Sequence, residues 1–226
     1  KQKKKVELLK EMKKGYMQKL FNQELRFKDE NRNEYPEWEN VVLGEIATFN
    51  KGKNISKKDI TISGNECIRY GELYTFYNEV IKDVKSRTHL KRENLVLSEK
   101  NDLLIPASGE TREDIAAAAC IQKNGVAIGG DINILKTDID NVFLAYYLNN
   151  GLKNSIARLA QGASILHLYA SQLKGLKLRL PVIEEQNKIS AFLSFIDNKI
   201  KLEDKMIQEL AYLKNGYMQR LFREPS

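Results

Sequence analysis

The chain has 226 residues, 42% of them hydrophobic and 30% charged, with a formal net charge of +7. That apolar fraction supports a real core in one domain with appendages, while no apolar run reaches the roughly eighteen residues a membrane span needs. The basic balance suits a nucleic-acid partner.

The lysine-rich N-terminus leads into an amphipathic helix and not into a secretion signal. The 2 cysteines, Cys67 and Cys120, sit in apolar settings without metal-ligand spacing. Both are expected to be reduced structural thiols of a cytoplasmic protein, and no cofactor is expected.

In chain order, residues 1–27 read as a partial helix. Residues 28–36 (KDENRNEYP) are a polar, turn-rich linker. Residues 38–43 read as a strand and 44–47 as a helical turn. Residues 49–56 (FNKGKNIS) form a basic loop pivoting on Gly52. Residues 67–70 read as a strand entering a turn at Gly71. Residues 95–98 and 102–105 read as strands around a turn at 99–101.

Residues 106–114 (PASGETRED) form a polar loop. Residues 115–121 fit helix or strand, and their flanks favour a buried strand. Residues 125–135 alternate as one bent strand with a bulge or kink at Gly129 and Gly130. Asp140 is placed to cap a helix through Asn149, and a short helix follows at 152–159. Residues 161–167 (QGASILH) are a glycine-pivoted loop. A helical turn starts at Ser171, and 176–180 alternate as a strand. The globule spans residues 35–180.

Residues 181–223 begin with Pro181 and run as one long helix. Its apolar stripe is Ile189, Leu193, Ile196, Ile200, Ile207, Leu210, Tyr217 and Leu221. Glu184 and Glu185 sit where the helix dipole favours negative charge. At 1.5 Å per residue the helix is roughly 60 Å long, so its stripe needs a helical partner. Glu203 and Lys214 fall on core positions and make the seam imperfect. The partner is at the other end. Residues 6–21 (VELLKEMKKGYMQKLF) and 207–222 (IQELAYLKNGYMQRLF) are an internal repeat. The two helices are expected to pack antiparallel, with residues 16–21 near 184–192 and the distal stripe uncovered. The first helix reads as if cut inside its repeat.

Catalytic motifs are missing from the sequence: it has no GxxxxGK[ST] phosphate loop, no glycine-rich methyl-donor turn and no HExxH. Asp102, Glu110, Glu113, Asp114 and Asp131 are scattered carboxylates, the pattern of solvated loops more than of a metal nuclease. DNA contact is better supported. Lys51, Lys53, Asn54, Lys57 and Lys58 suit phosphates. Arg69 can pair with guanine, and Tyr70 can pack on sugar. Ser108, Glu110, Thr111 and Arg112 can read base edges, and Gln161, Ser164 and His167 can contact backbone or bases. The ordinary alternatives are a solvated loop for the lysines, a strand-end ion pair for Arg69 and turn chemistry for the other loops.

Residues 161–197 (QGASILHLYASQLKGLKLRLPVIEEQNKISAFLSFID) resemble the specificity subunits of type I restriction-modification systems. Supporting segments are WENVVLGEIATFNKG from Trp38, CIRYGELY from Cys67 and NDLLIPASGE from Asn101. The resemblance implies a mixed α/β (α+β) target-recognition domain with long antiparallel coiled-coil helices, similar to the C-terminal half of such a subunit. It implies double-stranded DNA, methyltransferase (M) subunits and a restriction (R) subunit as partners. The recognition chain would be non-catalytic, with its helices serving as ruler and docking surface. A homodimer through residues 200–221 would read an inverted repeat with a fixed spacer. Two other readings stay open: a coiled-coil scaffold that never touches DNA, and a degenerate DNA methyltransferase or nuclease.

Overall fold

The computed structural model describes residues 2–53 and 55–221, with the side chains of Arg220 and Leu221 outside the description. The chain divides into two compact units, residues 1–25 with 191–226, and residues 26–190.

The second unit is mixed α/β. One five-stranded sheet has the spatial order Ala47–Lys51, Ile132–Thr137, Leu103–Pro106, Ala119–Ile121, Val80–Ile81. Leu103–Pro106 is buried throughout, so it reads as a continuous apolar run without alternation. A second five-stranded sheet has the order Ile60–Thr61, Ser86–Thr88, Asn65–Ile68, Ala127–Ile128, Val96–Leu97. Neighbours are antiparallel except where Cys120 pairs with Val80 and Ala127 with Cys67. Ile68 and Ile128 of one sheet and Leu104, Ile121 and Ile134 of the other share one buried cluster. Cys67 and Ala127, one residue out of step, belong to a separate cluster with Ile55. That is the period-two alternation of strands buried on both faces.

Several expected elements are corrected. Residues 125–135 are two strands in different sheets, and Gly129 to Asp131 carries the chain from one to the other. Asp131 takes φ 60° there. Both halves alternate in phase, so the switch leaves no mark on the pattern. The strand at 67–70 ends at Ile68, and the expected Gly71 turn is the helix Tyr70–Thr75. The Glu72 carboxylate starts it by accepting from the Arg69 amide at 2.9 Å. Residues 115–121 split into the end of a helix, Arg112–Ile115, and the strand Ala119–Ile121. Thr111 caps that helix, its hydroxyl accepting from the Asp114 amide at 3.1 Å. Residues 49–51 lie in the strand Ala47–Lys51, outside the loop, because they pair with residues 133–135. In the polar loop at 106–114, Ser108–Gly109 pairs with Leu166–His167.

The turn after Pro181 is an anchor. Glu185 is fully buried and accepts from Arg26 Nη2 at 2.7 Å, Arg26 Nε at 3.2 Å and Trp38 Nε1 at 3.3 Å. The hydrogen bond to Glu185 raises the Arg26 pKa above its ordinary value. Gln186 accepts from the Asp140 amide at 3.1 Å and donates to the Pro181 carbonyl at 2.8 Å. Asp140 in turn caps the helix Asn141–Asn150 through the amides of Val142 and Phe143. Trp38, Phe143 and Tyr147 pack ring against ring beside this network. Glu185 therefore does more than meet a helix dipole.

In the first unit, the helix Gln2–Phe21 packs antiparallel on the long helix Ile183–Leu221. Tyr16 meets Phe192 edge-on at 5.0 Å, and Lys13 Nζ lies 2.7 Å from an Asp197 oxygen. Val6, Ile196 and Ile200 form a buried cluster with Leu9 and Ile207 against it. The Glu203 imperfection is matched by Lys5 at 2.5 Å.

Candidate nucleic-acid interface

Glycine contacts bring the first group of residues together. The Lys53 amide donates to the Ile128 carbonyl at 3.1 Å, and the Gly129 amide donates to Ile68 at 2.8 Å. A Cβ on Gly52 would stand 2.0 Å from the Gly129 oxygen, and one on Gly129 would stand 2.9 Å from the Ile68 oxygen. Only glycine allows three backbones this close. Lys51, Lys53 and Arg69 are thereby gathered from three distant parts of the sequence. Lys51 Nζ lies 3.3 Å from Asp131, an ion pair with both partners solvent-accessible. Asn54 lies outside the described residues. Lys57 and Lys58 are exposed on a short 3-10 turn that Ser56 and Asp59 cap.

Arg69 is held by its neighbours but not saturated. Its Nη2 is 3.7 Å from the buried Glu72 carboxylate, and its side chain is 28% exposed. Its Nε is buried with no hydrogen-bond partner among the described residues. Tyr70 is exposed, its ring 6.4 Å from Tyr74. The helix Tyr70–Thr75 packs against Ser108–Gly109 and Arg112–Ile115. Burial raises the Tyr74 pKa to about 12, with Tyr70, Asp114 and Glu110 adding to the shift.

A second group adjoins Asp131. The Ala107 amide donates to the Asp131 carbonyl at 2.7 Å, and the Leu168 amide donates to Ala107 at 3.0 Å. The strand pair of Ser108–Gly109 with Leu166–His167 then joins the two polar turns. Ser108 is buried, its Oγ 3.1 Å from His167 Nδ1, so it orients the half-buried imidazole. Glu110 is exposed. Thr111 is engaged in its cap, and Arg112 Nη1 donates to the Ala157 carbonyl at 2.9 Å. Both therefore carry local structure as well as polar surface.

Gln161 and His167 exchange backbone hydrogen bonds at 2.9 and 2.7 Å and close the loop between them. Gly162 takes φ +130°, and a Cβ there would stand 2.1 Å from the Ile165 oxygen. Residues 161–165, Ser164 among them, are all exposed. Sequence reasoning named Asp131 only among scattered carboxylates and did not single out Tyr74 or Tyr169, whose ring stacks on His167 at 6.1 Å. Their only signal was proximity to the polar loops.

The interface residues divide by position. Ile189, Leu193, Ile196 and Ile200 are buried, Ile207 is half-buried, and Leu210 and Tyr217 are exposed. The Leu221 side chain lies outside the description. Among the described residues no group of His, Cys, Asp and Glu is placed to hold a metal ion, and no helix is long and apolar enough to cross a membrane.

The mixed α/β fold with a long C-terminal helix is shared with solved specificity subunits. The S subunit of the M. genitalium type I restriction-modification system superposes with a TM-score of 0.64 at 21% identity, over 88% of this chain and 48% of that one. The HsdS subunit of Thermoanaerobacter tengcongensis gives 0.57 at 16% identity, over 98% and 52%. Residues 35–212 match the type I restriction modification DNA specificity domain, and the chain belongs to that family. It is 28% identical to the type I restriction enzyme MjaVIII specificity subunit of Methanocaldococcus jannaschii, over 89% of this chain and 46% of that protein. It is 27% identical to the putative type I restriction enzyme MjaX specificity subunit of the same organism, over 96% and 51%. The chain thus spans about half the length of these relatives.

Proposed function

We propose that residues 26–190 are a target-recognition domain that reads a short duplex DNA sequence within a type I restriction-modification assembly in the cytoplasm. Lys51 and Lys53 contact phosphates and set register. Arg69 with Tyr70, the turn at Ser108 to Arg112, and the loop at Gln161 to His167 present the groups that read bases. The paired helices act as ruler and as the docking surface for methyltransferase subunits, and the chain positions these and the restriction subunit on DNA. The reaction chemistry belongs to those partners.

The observation that carries this reading is convergence. Candidate contact residues scattered from Lys51 to His167 are linked through Gly129, Asp131 and Ala107 by backbone hydrogen bonds. Family membership supplies the ligand class. Polar turns of a scaffold with no DNA to read have no need of such gathering.

The test is selection of duplexes from a random pool at near-physiological salt, with and without the methyltransferase partner. An enriched motif supports recognition. Lys51→Glu with Lys53→Glu should then weaken binding across all sequences and flatten its salt dependence, at about 0.9 of a log–log slope unit per lost phosphate contact. Arg69→Ala should relax preference at a single base position. No enrichment in either sample would overturn the reading in favour of the scaffold.

A further inference from the structure

The His167 ring has one nitrogen engaged and one open. His167 stands directly opposite Ser108 in an antiparallel strand pair, where opposed side chains share one face. Ser108 Oγ lies 3.1 Å from Nδ1 of the ring, and among the described residues neither side chain has another hydrogen-bond partner. The Ser108 hydroxyl is buried. A buried hydroxyl proton needs an acceptor, and Nδ1 is the one within reach. The hydroxyl therefore donates to Nδ1, and the neutral ring carries its own proton on Nε2.

That Nε2 reaches solvent. Among the described residues Arg69 Nε is the one buried side-chain nitrogen or oxygen without a partner, so an unpartnered Nε2 on a half-buried ring is not enclosed. The ring is also held in place. The His167 backbone exchanges hydrogen bonds with Gln161 at 2.7 and 2.9 Å. The next residue, Leu168, donates its amide to Ala107 at 3.0 Å and accepts from the buried Asn133 at 3.0 Å. Tyr169, 54% exposed, lies over the imidazole with the two planes 22° apart.

We propose, resting on the recognition reading above, that Ser108 is a positioning residue that holds His167 as a neutral donor through Nε2–H, and that this donor reads an acceptor on a base edge in the major groove. Purine N7, guanine O6 and thymine O4 are such acceptors, whereas cytosine offers only its N4 donor there and is refused. Ser108 is 4% exposed and acts through the imidazole without touching a base. Phosphate oxygens are acceptors too, but they chiefly reward charge. A neutral ring fixed in one orientation contributes direction instead, which a base edge rewards.

The first measurement is nitrogen NMR of the imidazoles in the whole chain near pH 8, without DNA. The sequence has 2 histidines, so His167→Gln assigns the signals. The His167 ring should show a protonated Nε2 and a bare Nδ1 that shifts when Ser108→Ala removes its donor. A ring protonated on Nδ1 overturns the positioning role, and the unaltered chain alone decides this if the Ser108 variant does not fold. The second measurement is duplex selection with the methyltransferase partner. One position of the motif should exclude cytosine on the contacted strand. His167→Ala should lose that exclusion and bind the preferred duplex about threefold to tenfold more weakly, as for one hydrogen bond. Ser108→Ala should relax the same position and no other. Equal weakening on all sequences would place His167 on phosphate and overturn the base contact, as would an unchanged motif. An unaltered chain that enriches no motif overturns the recognition reading and the base contact together. The tautomer is read without DNA, so its failure is distinct from both.

Discussion

Residues 6–21 and 207–221 carry nearly the same pattern of side chains in two different environments. In the first, Val6, Met17 and Leu20 are buried, and Lys13 is almost enclosed beside Asp197. In the second, Leu210, Leu213, Tyr217 and Met218 face solvent along a helix that stays continuous to Leu221. The helical state is common to both, so propensity and periodicity account for it. Burial is not common to both and depends on whether an antiparallel neighbour lies alongside. An isolated apolar stripe gains nothing from its own pattern until something covers it.

Paired substitutions sharpen that contrast. The largest difference is expected at the methionines. Met17→Ala should cost about 2–5 kcal/mol in denaturant unfolding of the whole chain, as for a buried large-to-small change. Met218→Ala should stay within about 0.5 kcal/mol, as for an exposed site. Equal costs would break the comparison and mean that the second copy is covered in solution.

A smaller difference is expected at the lysines. Lys13→Ala removes one side of an ion pair whose side chains are 11% and 29% exposed. A cost of about 1–2 kcal/mol is expected, below that of a fully buried pair because solvent reaches the carboxylate. Lys214→Ala at the exposed copy should be thermally silent.

The smallest effect at neutral pH belongs to the thiols. Burial raises the Cys67 pKa to about 11 and the Cys120 pKa to about 12. Native chain at pH 8 should resist a thiol reagent that labels the unfolded chain quickly. The unfolded thiols ionise first, so the unfolded state holds fewer protons above about pH 9. Stability should therefore fall as pH rises from there towards 11, and Cys120→Ser should soften that fall. Rapid labelling of the native chain would place a thiol at the surface.

Local chemistry was legible wherever one residue acts on its near neighbours. Asp140 caps its helix through amides two and three residues on, which a sequence displays directly. Pro181 and the acidic turn marked the start of the long helix correctly. The role of Glu185 was not legible, because its partners are Arg26 and Trp38, more than a hundred residues away. The candidate interface was legible as a set of polar turns but not as one place. Gathering them depends on the chain changing sheets at Gly129, and an alternating pattern is the same on either side of such a change.

By itself the sequence determined the repeat, the long helix, the caps and the alternation of the short strands. Each of these follows from spacing along one segment. Tertiary structure alone decided which copy of the repeat is buried, how residues 125–135 divide between two sheets, and which polar turns meet. Periodicity reports which side of an element is apolar, whereas burial and convergence depend on what else reaches that side, and that is set by contacts between segments far apart in the chain.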